Sequence, residues 1–196
     1  MFKRTKGYFL LTMLVLTGLA GRMHTNILTT KERHTLVTEL KSSKNDFLNS
    51  IENLSAKQLN YKPNKNELSI KQYAYKLIAV ENSLWMSAKV SLKSQPAAIQ
   101  KTVLNDEALY SLPQQKTIQC NKIKFTNIKE ALKFYKNDQS EMLKYVHTST
   151  ENVRAHISIT YEGIFDAYQL MLVNTVYTKF YTQQIEKLKA SPNLPK

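Results

Sequence analysis

The chain of 196 residues is long enough for one domain with a short targeting segment, and its 42% hydrophobic and 22% charged content excludes both a disordered chain and a multi-span membrane protein. Only 4 Gly and 5 Pro leave too few turn-formers for an all-β fold, and one cysteine, Cys120, excludes an internal disulfide framework and a cysteine-rich zinc site. The formal charge of +13 is spread along the chain without a basic run, a phosphate-cradling glycine loop or an RNA- or finger-type motif, so a solvated basic surface is expected and no specific nucleic-acid partner.

Residues 1–20 read as an export signal. Lys3, Arg4 and Lys6 precede an apolar stretch from Tyr8 to Leu19, and Gly18-Leu19-Ala20 offers the small residues needed for cleavage before Gly21. The stretch falls short of the ~20 residues of a spanning helix. No cysteine stands near the cleavage point to carry a lipid. The mature chain is therefore expected to be extracytoplasmic, periplasmic or secreted, with no transmembrane span after cleavage. The alternative is that the segment is retained as an anchor.

Residues 27–196 read as one helical domain. Thr29 and Glu32 have capping-box spacing, and Leu36, Leu40, Phe47, Ile51 and Leu54 follow at multiples of three and four, which predicts a long amphipathic helix over 29–53. A turn-rich segment from Leu54 to Pro63 leads to a second box, Ser69 with Gln72. A second stripe, Ile70, Tyr73, Leu77, Val80, Leu84 and Ala88, then predicts a helix over 69–92. Periodicity is lost over 93–126, where Pro96 and Pro113 fall. This reads as a long crossover lying across the outside of the fold, with a short helix near Asp106 to Ser111 and one strand-like stretch from Thr117 to Phe125. Asn127 with Glu130 caps a third helix over 127–148, carrying Ile128, Leu132, Tyr135, Met142 and Val146. After Gly163 a fourth, over 164–189, carries Phe165, Tyr168, Leu172, Val176, Phe180 and Leu188. It is apolar over more than half its circumference, as the most buried helix of a bundle is. The expected fold is all-α, an up-and-down four-helix bundle with a long crossover between helices 2 and 3.

Three separated segments, in order, resemble the DinB-like superfamily over residues 29–196. Leu54-Ser55-Ala56-Lys57-Gln58-Leu59-Asn60-Tyr61-Lys62-Pro63, followed by Ser69-Ile70-Lys71-Gln72 and Glu81-Asn82-Ser83-Leu84-Trp85, is similar to that family's LSxxQLxxxP, WSIxE and HxxxxE stretch. The ending from Gln184-Ile185 to Pro195 is similar to HxxxHxxQIxxxKxxPxFP, particularly as in exported members. Gly163-Ile164-Phe165-Asp166-Ala167-Tyr168 is similar to the glycine-led start of the family's last helix. The resemblance implies a bundle in which three histidines, one on the second helix and an HxxxH pair on the fourth, hold a divalent metal, with a hydrolase or thiol-transferring activity. Counted from Ser69-Ile70, the first histidine position is Lys76. Counted back from Gln184-Ile185, the pair is Tyr177 and Tyr181. None of the three histidines is present. The family's glutamate falls on Glu81, whose simplest reading is half of a charge pair on the helix surface.

A lysine ammonium has no lone pair, and neutral tyrosine, with a pKa near 10, is a poor ligand at pH 7, so neither metal nor cofactor is expected. Three readings of the trio stand side by side. The tyrosines pack in the core while Lys76 snorkels to solvent. The ammonium stands in for the metal charge, stacked on the rings or bonded to the phenols. Or Lys76 and a tyrosine work as an acid/base pair. His24, His34, His147 and His156 share no HxxxH or HExxH spacing. His156, after Arg154-Ala155, is expected to fix its loop, and Cys120, with no histidine within four residues, is given no nucleophilic role. The expected function is that of a DinB-like envelope protein that has lost the metal site and binds or builds rather than catalyses. One alternative is a hydrolase or thiol-transferase-like enzyme in the same pocket of Lys76, Tyr177 and Tyr181. The other is a basic envelope protein that binds anionic polymer or lipid. A small-molecule ligand and a homodimer both stay open, and no catalytic residue is legible.

Overall fold

The structure is a computed structural model describing residues 28–97, 105–115, 123–160 and 163–196, with residues 114 and 115 as backbone alone. The export segment, His24, Cys120 and most of the stretch from Thr117 to Phe125 lie outside the described residues.

Helix α1 (Thr30–Ile51) starts where its capping box predicts. Thr29 Oγ1 accepts the Glu32 N–H at 3.1 Å while Glu32 Oε2 accepts the Thr29 N–H at 2.9 Å. A one-turn helix α2 (Ala56–Leu59) occupies the turn-rich segment, and α3 (Ile70–Leu92) begins at the Ser69–Gln72 box. In the described part of the crossover, a 3-10 turn at Glu107–Ser111 runs into a one-turn helix α4 (Leu112–Gln115). Both lie against α6 (Ala167–Lys189), with Leu109 and Leu112 plugged into the core. Helix α5 (Ile128–Thr148) is capped by Asn127, whose Oδ1 accepts the Glu130 N–H at 3.0 Å. The Glu130 carboxylate reaches one residue further back, to the Thr126 N–H at 2.7 Å.

The sequence predicts the fourth helix from residue 164, whereas Ile164–Asp166 is a strand. A 3-10 turn at Val153–Ala155 leads into β1 (Ile157–Ile159), which pairs antiparallel with β2 (Ile164–Asp166) in the register Ile157 to Asp166 and Ile159 to Ile164. Gly163, at φ 153°, closes the connection, with the Thr160 N–H donating to its carbonyl at 2.8 Å. Helix α6 then starts at Ala167 because Asp166 and Gln169 form another capping box: Asp166 Oδ1 accepts the Gln169 N–H at 2.8 Å, and Gln169 Oε1 accepts the Asp166 N–H.

Helix α6 packs between α1 and α3, and α5 packs against the same two helices. Facing pairs give the directions. Tyr75 meets Phe125 just before α5, Glu81 meets Gln139 in its middle and Trp85 meets Tyr145 near its end, so α3 and α5 run the same way. Arg33, at the start of α1, donates to the Val146 and Ser149 carbonyls at the end of α5, so these two run oppositely. Tyr73 meets Tyr181 and Glu81 meets Asn174, which sets α6 against α3. The long crossover is needed because the chain must return the ~35 Å length of a 23-residue helix before α5 can start beside the beginning of α3. Every residue from Ala167 to Thr178 is buried, which bears out α6 as the central helix. Among the described residues no helix is long and apolar enough to cross a membrane.

Candidate functional site

Near the start of α3, the three positions singled out in sequence come together. Lys76 from α3 and Tyr177 and Tyr181 from α6 line one cavity of about 230 Å³, with Tyr73, Phe180 and Gln184 also in its wall. The four-residue spacing stacks the two tyrosines on one face of α6, with ring centroids 6.3 Å apart and exposures of 1% and 3%. Both are core residues. Lys76 is half-buried, and its Nζ lies 5.9 Å from the centroid of the Tyr181 ring, at the outer limit of a cation–π contact.

Glu81 departs from its expected place. Read in sequence as part of a surface charge pair, it is 2% exposed and sits among polar groups of three helices. The reason is periodicity, since position 81 lies four residues after Leu77 and three before Leu84, inside the buried stripe of α3. Gln139 Nε2 of α5 donates to Glu81 Oε2 at 2.8 Å, and Asn174 Nδ2 of α6 donates to the Glu81 carbonyl at 3.0 Å. Thr178 Oγ1 contacts both Glu81 Oε1 and, at 2.9 Å, the Asn174 carbonyl. Thr178 shares its single hydrogen between the Glu81 carboxyl and the Asn174 carbonyl, and a protonated Glu81 would instead be able to donate to the Thr178 oxygen. Burial pushes the Glu81 carboxyl up to about 8, against the hydrogen bonds from Thr178 and Gln139 and with a further rise from Asp138. Burial thus favours the neutral form of Glu81 inside the bundle, and the residue is not part of the cavity wall.

Gln139, Asn174 and Thr178 were not legible as partners of Glu81, although each interrupts an otherwise apolar face of its helix. Two atoms of this layer, the Tyr135 hydroxyl and Gln139 Oε1, are buried without a hydrogen-bond partner among the described residues. A buried hydroxyl that gains no bond has lost its hydration for nothing. Tyr135→Phe is therefore expected to leave stability unchanged or raise it by up to about 1 kcal/mol in urea unfolding, whereas a loss above about 1 kcal/mol would show that the hydroxyl is bonded.

A second cluster lies where α1, the crossover and the hairpin meet the start of α6. Arg154 Nη2 donates to Glu32 Oε1 at 2.7 Å and Asp106 Oδ2 at 2.6 Å, and Nη1 donates to Asp166 Oδ2 at 3.0 Å. The guanidinium carbon stands 3.9 Å from the centroid of the Tyr168 ring. Burial alone would lower the Arg154 pKa, but the Asp106, Asp166 and Glu32 carboxylates together push it up. His156, two residues on, is buried with Nδ1 3.1 Å from the Ser91 carbonyl, which fastens the hairpin to the end of α3. His34 and His147 are exposed.

No protein-family model matches the sequence, and no curated protein does. Among solved structures, YfiT from Bacillus subtilis, a probable metal-dependent hydrolase with an unusual four-helix bundle topology, matches with a TM-score of 0.60 and 13% identity, over 83% of this chain and 88% of that one. The two chains share a fold. The likeness shows a four-helix bundle. A metal of the kind YfiT's description implies does not fit the residues present here. The wall offers an ammonium and phenols, and among the described residues no three His, Cys, Asp or Glu side chains are grouped so as to hold an ion.

Proposed function

We propose that this protein is a DinB-like bundle that works without a bound metal, as a non-catalytic binding protein of the cell envelope whose ligand enters the cavity at Lys76, Tyr177 and Tyr181. The observation that carries the reading is the chemistry of that wall. A partly open cavity lies at the positions where the resemblance places three metal ligands, yet it presents one cation and no neutral nitrogen donor from histidine. The envelope placement rests on the charged, apolar and small-residue zones of residues 1–20.

Metal content decides the first point. Zinc, nickel and iron should be sub-stoichiometric in the purified protein after dialysis, and adding them should not raise its melting temperature, because a ligand stabilises only by binding the native state. Restoring the donors together, by Lys76→His, Tyr177→His and Tyr181→His, should create metal binding. Stoichiometric metal held in the unaltered cavity would overturn the reading and favour a hydrolase.

A further inference from the structure

We infer that the cavity takes a small organic anion with a flat apolar body, a carboxylate or a phosphate monoester, whose charge is met by Lys76. This rests on the reading that the cavity is the ligand site, and it adds the class of ligand. Among the described residues of the wall, Lys76 is the one charged side chain; the others are aromatic, aliphatic or amide. Among the described residues no carboxylate pairs with Lys76 either. Glu67 acts on Tyr73 from the loop before α3, but its carboxylate accepts from Asn64 Nδ2 at 2.6 Å and is not part of the wall.

An ammonium drawn half out of water against rings recovers from their faces only part of the hydration it loses, and an anion supplies the rest. A metal cation would meet repulsion at the same point. The body of the ligand follows from the walls. Four of the wall residues are aromatic, the half-buried Tyr73 and Phe180 and the buried Tyr177 and Tyr181, which suits a ligand with a planar ring, and Gln184 adds an amide to the wall. The volume, about 230 Å³, lies below the ~300–1,000 Å³ of sites for drug-sized molecules, so the ligand is small.

The test compares benzoate, phenyl phosphate and neutral benzamide at constant ionic strength, by calorimetric titration and thermal shift of the metal-free protein. At least one anion should bind and raise the melting temperature while benzamide does not, and the stronger of the two anions identifies the head group. Lys76→Met should weaken anion binding by about tenfold or more without lowering the melting temperature of the unliganded protein, and Lys76→Arg should stay within about threefold of the natural protein. Binding of benzamide as strongly as the anions, no binding of either anion, or an unchanged affinity in Lys76→Met would each overturn the inference. Should Lys76→Met fail to fold, Lys76→Gln and the comparison of benzoate with benzamide on the natural protein decide. The two readings fail separately. Zinc taken up by the natural protein removes the metal-free function, whereas indifference to ligand charge in zinc-free protein removes the anion.

Discussion

Replacing Arg154 by alanine should lower stability by about 2–4 kcal/mol, below the ~3–5 kcal/mol of a fully buried ion pair because only Asp166 of this cluster is fully buried. Arg154 is the only cation in contact with Glu32, Asp106 and Asp166 among the described residues, and the side chains are 23%, 23%, 33% and 6% exposed in that order. Without it, three carboxylates face one another where water reaches them poorly, and the crossover, the start of α1 and the hairpin lose their common tie. Since a domain's whole stability is ~5–15 kcal/mol, the variant should be close to unfolding at physiological temperature. Arg154→Lys keeps the charge but cannot reach three acids with a planar fork, so it should fall between the two. Urea unfolding followed by circular dichroism checks this, and a loss under about 1 kcal/mol would mean that the cluster is held by other contacts.

The second large effect is a fall in stability towards alkaline pH. Below about pH 4.5, the ordinary Glu value, Glu81 is protonated in the folded and the unfolded chain alike. As pH rises from there to about 8, the unfolded chain gives up this proton while the folded chain keeps it, so stability decreases through that window and levels off above it. At ~1.4 kcal/mol per unit the total is on the order of 4–5 kcal/mol. Asp138, facing from α5 and also raised by burial, acts in the same sense. Tyr135, raised well above its ordinary value, stays neutral throughout, and Thr178 and Asn174 of α6 carry no charge. The acid side runs oppositely. Burial would raise Glu32 and Asp106, but hydrogen bonds from Thr29 and Arg154 to the first, and from Arg154 and Gln169 to the second, outweigh it. Their contribution is lost as pH falls through these lowered values. Glu81→Gln separates the effects, because its amide can accept from Gln139 and donate to Thr178 just as the protonated acid does. The variant should match the natural protein within about 1 kcal/mol at pH 5 and exceed it clearly at pH 9. An alkaline fall that persists in Glu81→Gln would assign it to another group.

The helices were legible because their starts are written locally. Thr29 with Glu32 and Ser69 with Gln72 each fix a first turn through bonds three residues apart, and the stripes of α1 and α3 follow in phase. Asp166 with Gln169 is the same signal, and it marks the start of α6 better than Gly163 does; Ile157, Ile159 and Ile164 suit the strand pairing that precedes it. Glu81 was misplaced by residue type, although Leu77, Glu81, Leu84 and Ala88 share one face of α3. What no spacing could supply is the register between helices. That Gln139, Asn174 and Thr178 reach this one carboxyl depends on how far each helix slides along its neighbours, which the connections and the whole core decide together. Lys76, Tyr177 and Tyr181 were found through motifs on two distant segments, and their meeting at one cavity depends on that same register.

The position of α6 bears on how the chain comes to fold. It follows the other long helices in sequence, yet it is the one that packs between α1 and α3 and supplies Asn174 and Thr178 to the polar layer. A ribosome delivers the chain from its N-terminus, so α1, α3 and α5 emerge with their apolar faces only partly covered and Glu81 without two of its partners. The core closes only after Leu188 has left the exit tunnel. Until then the nascent chain depends on remaining unfolded or held, because the helix that covers the faces of α1 and α3 is the last of the long helices to emerge.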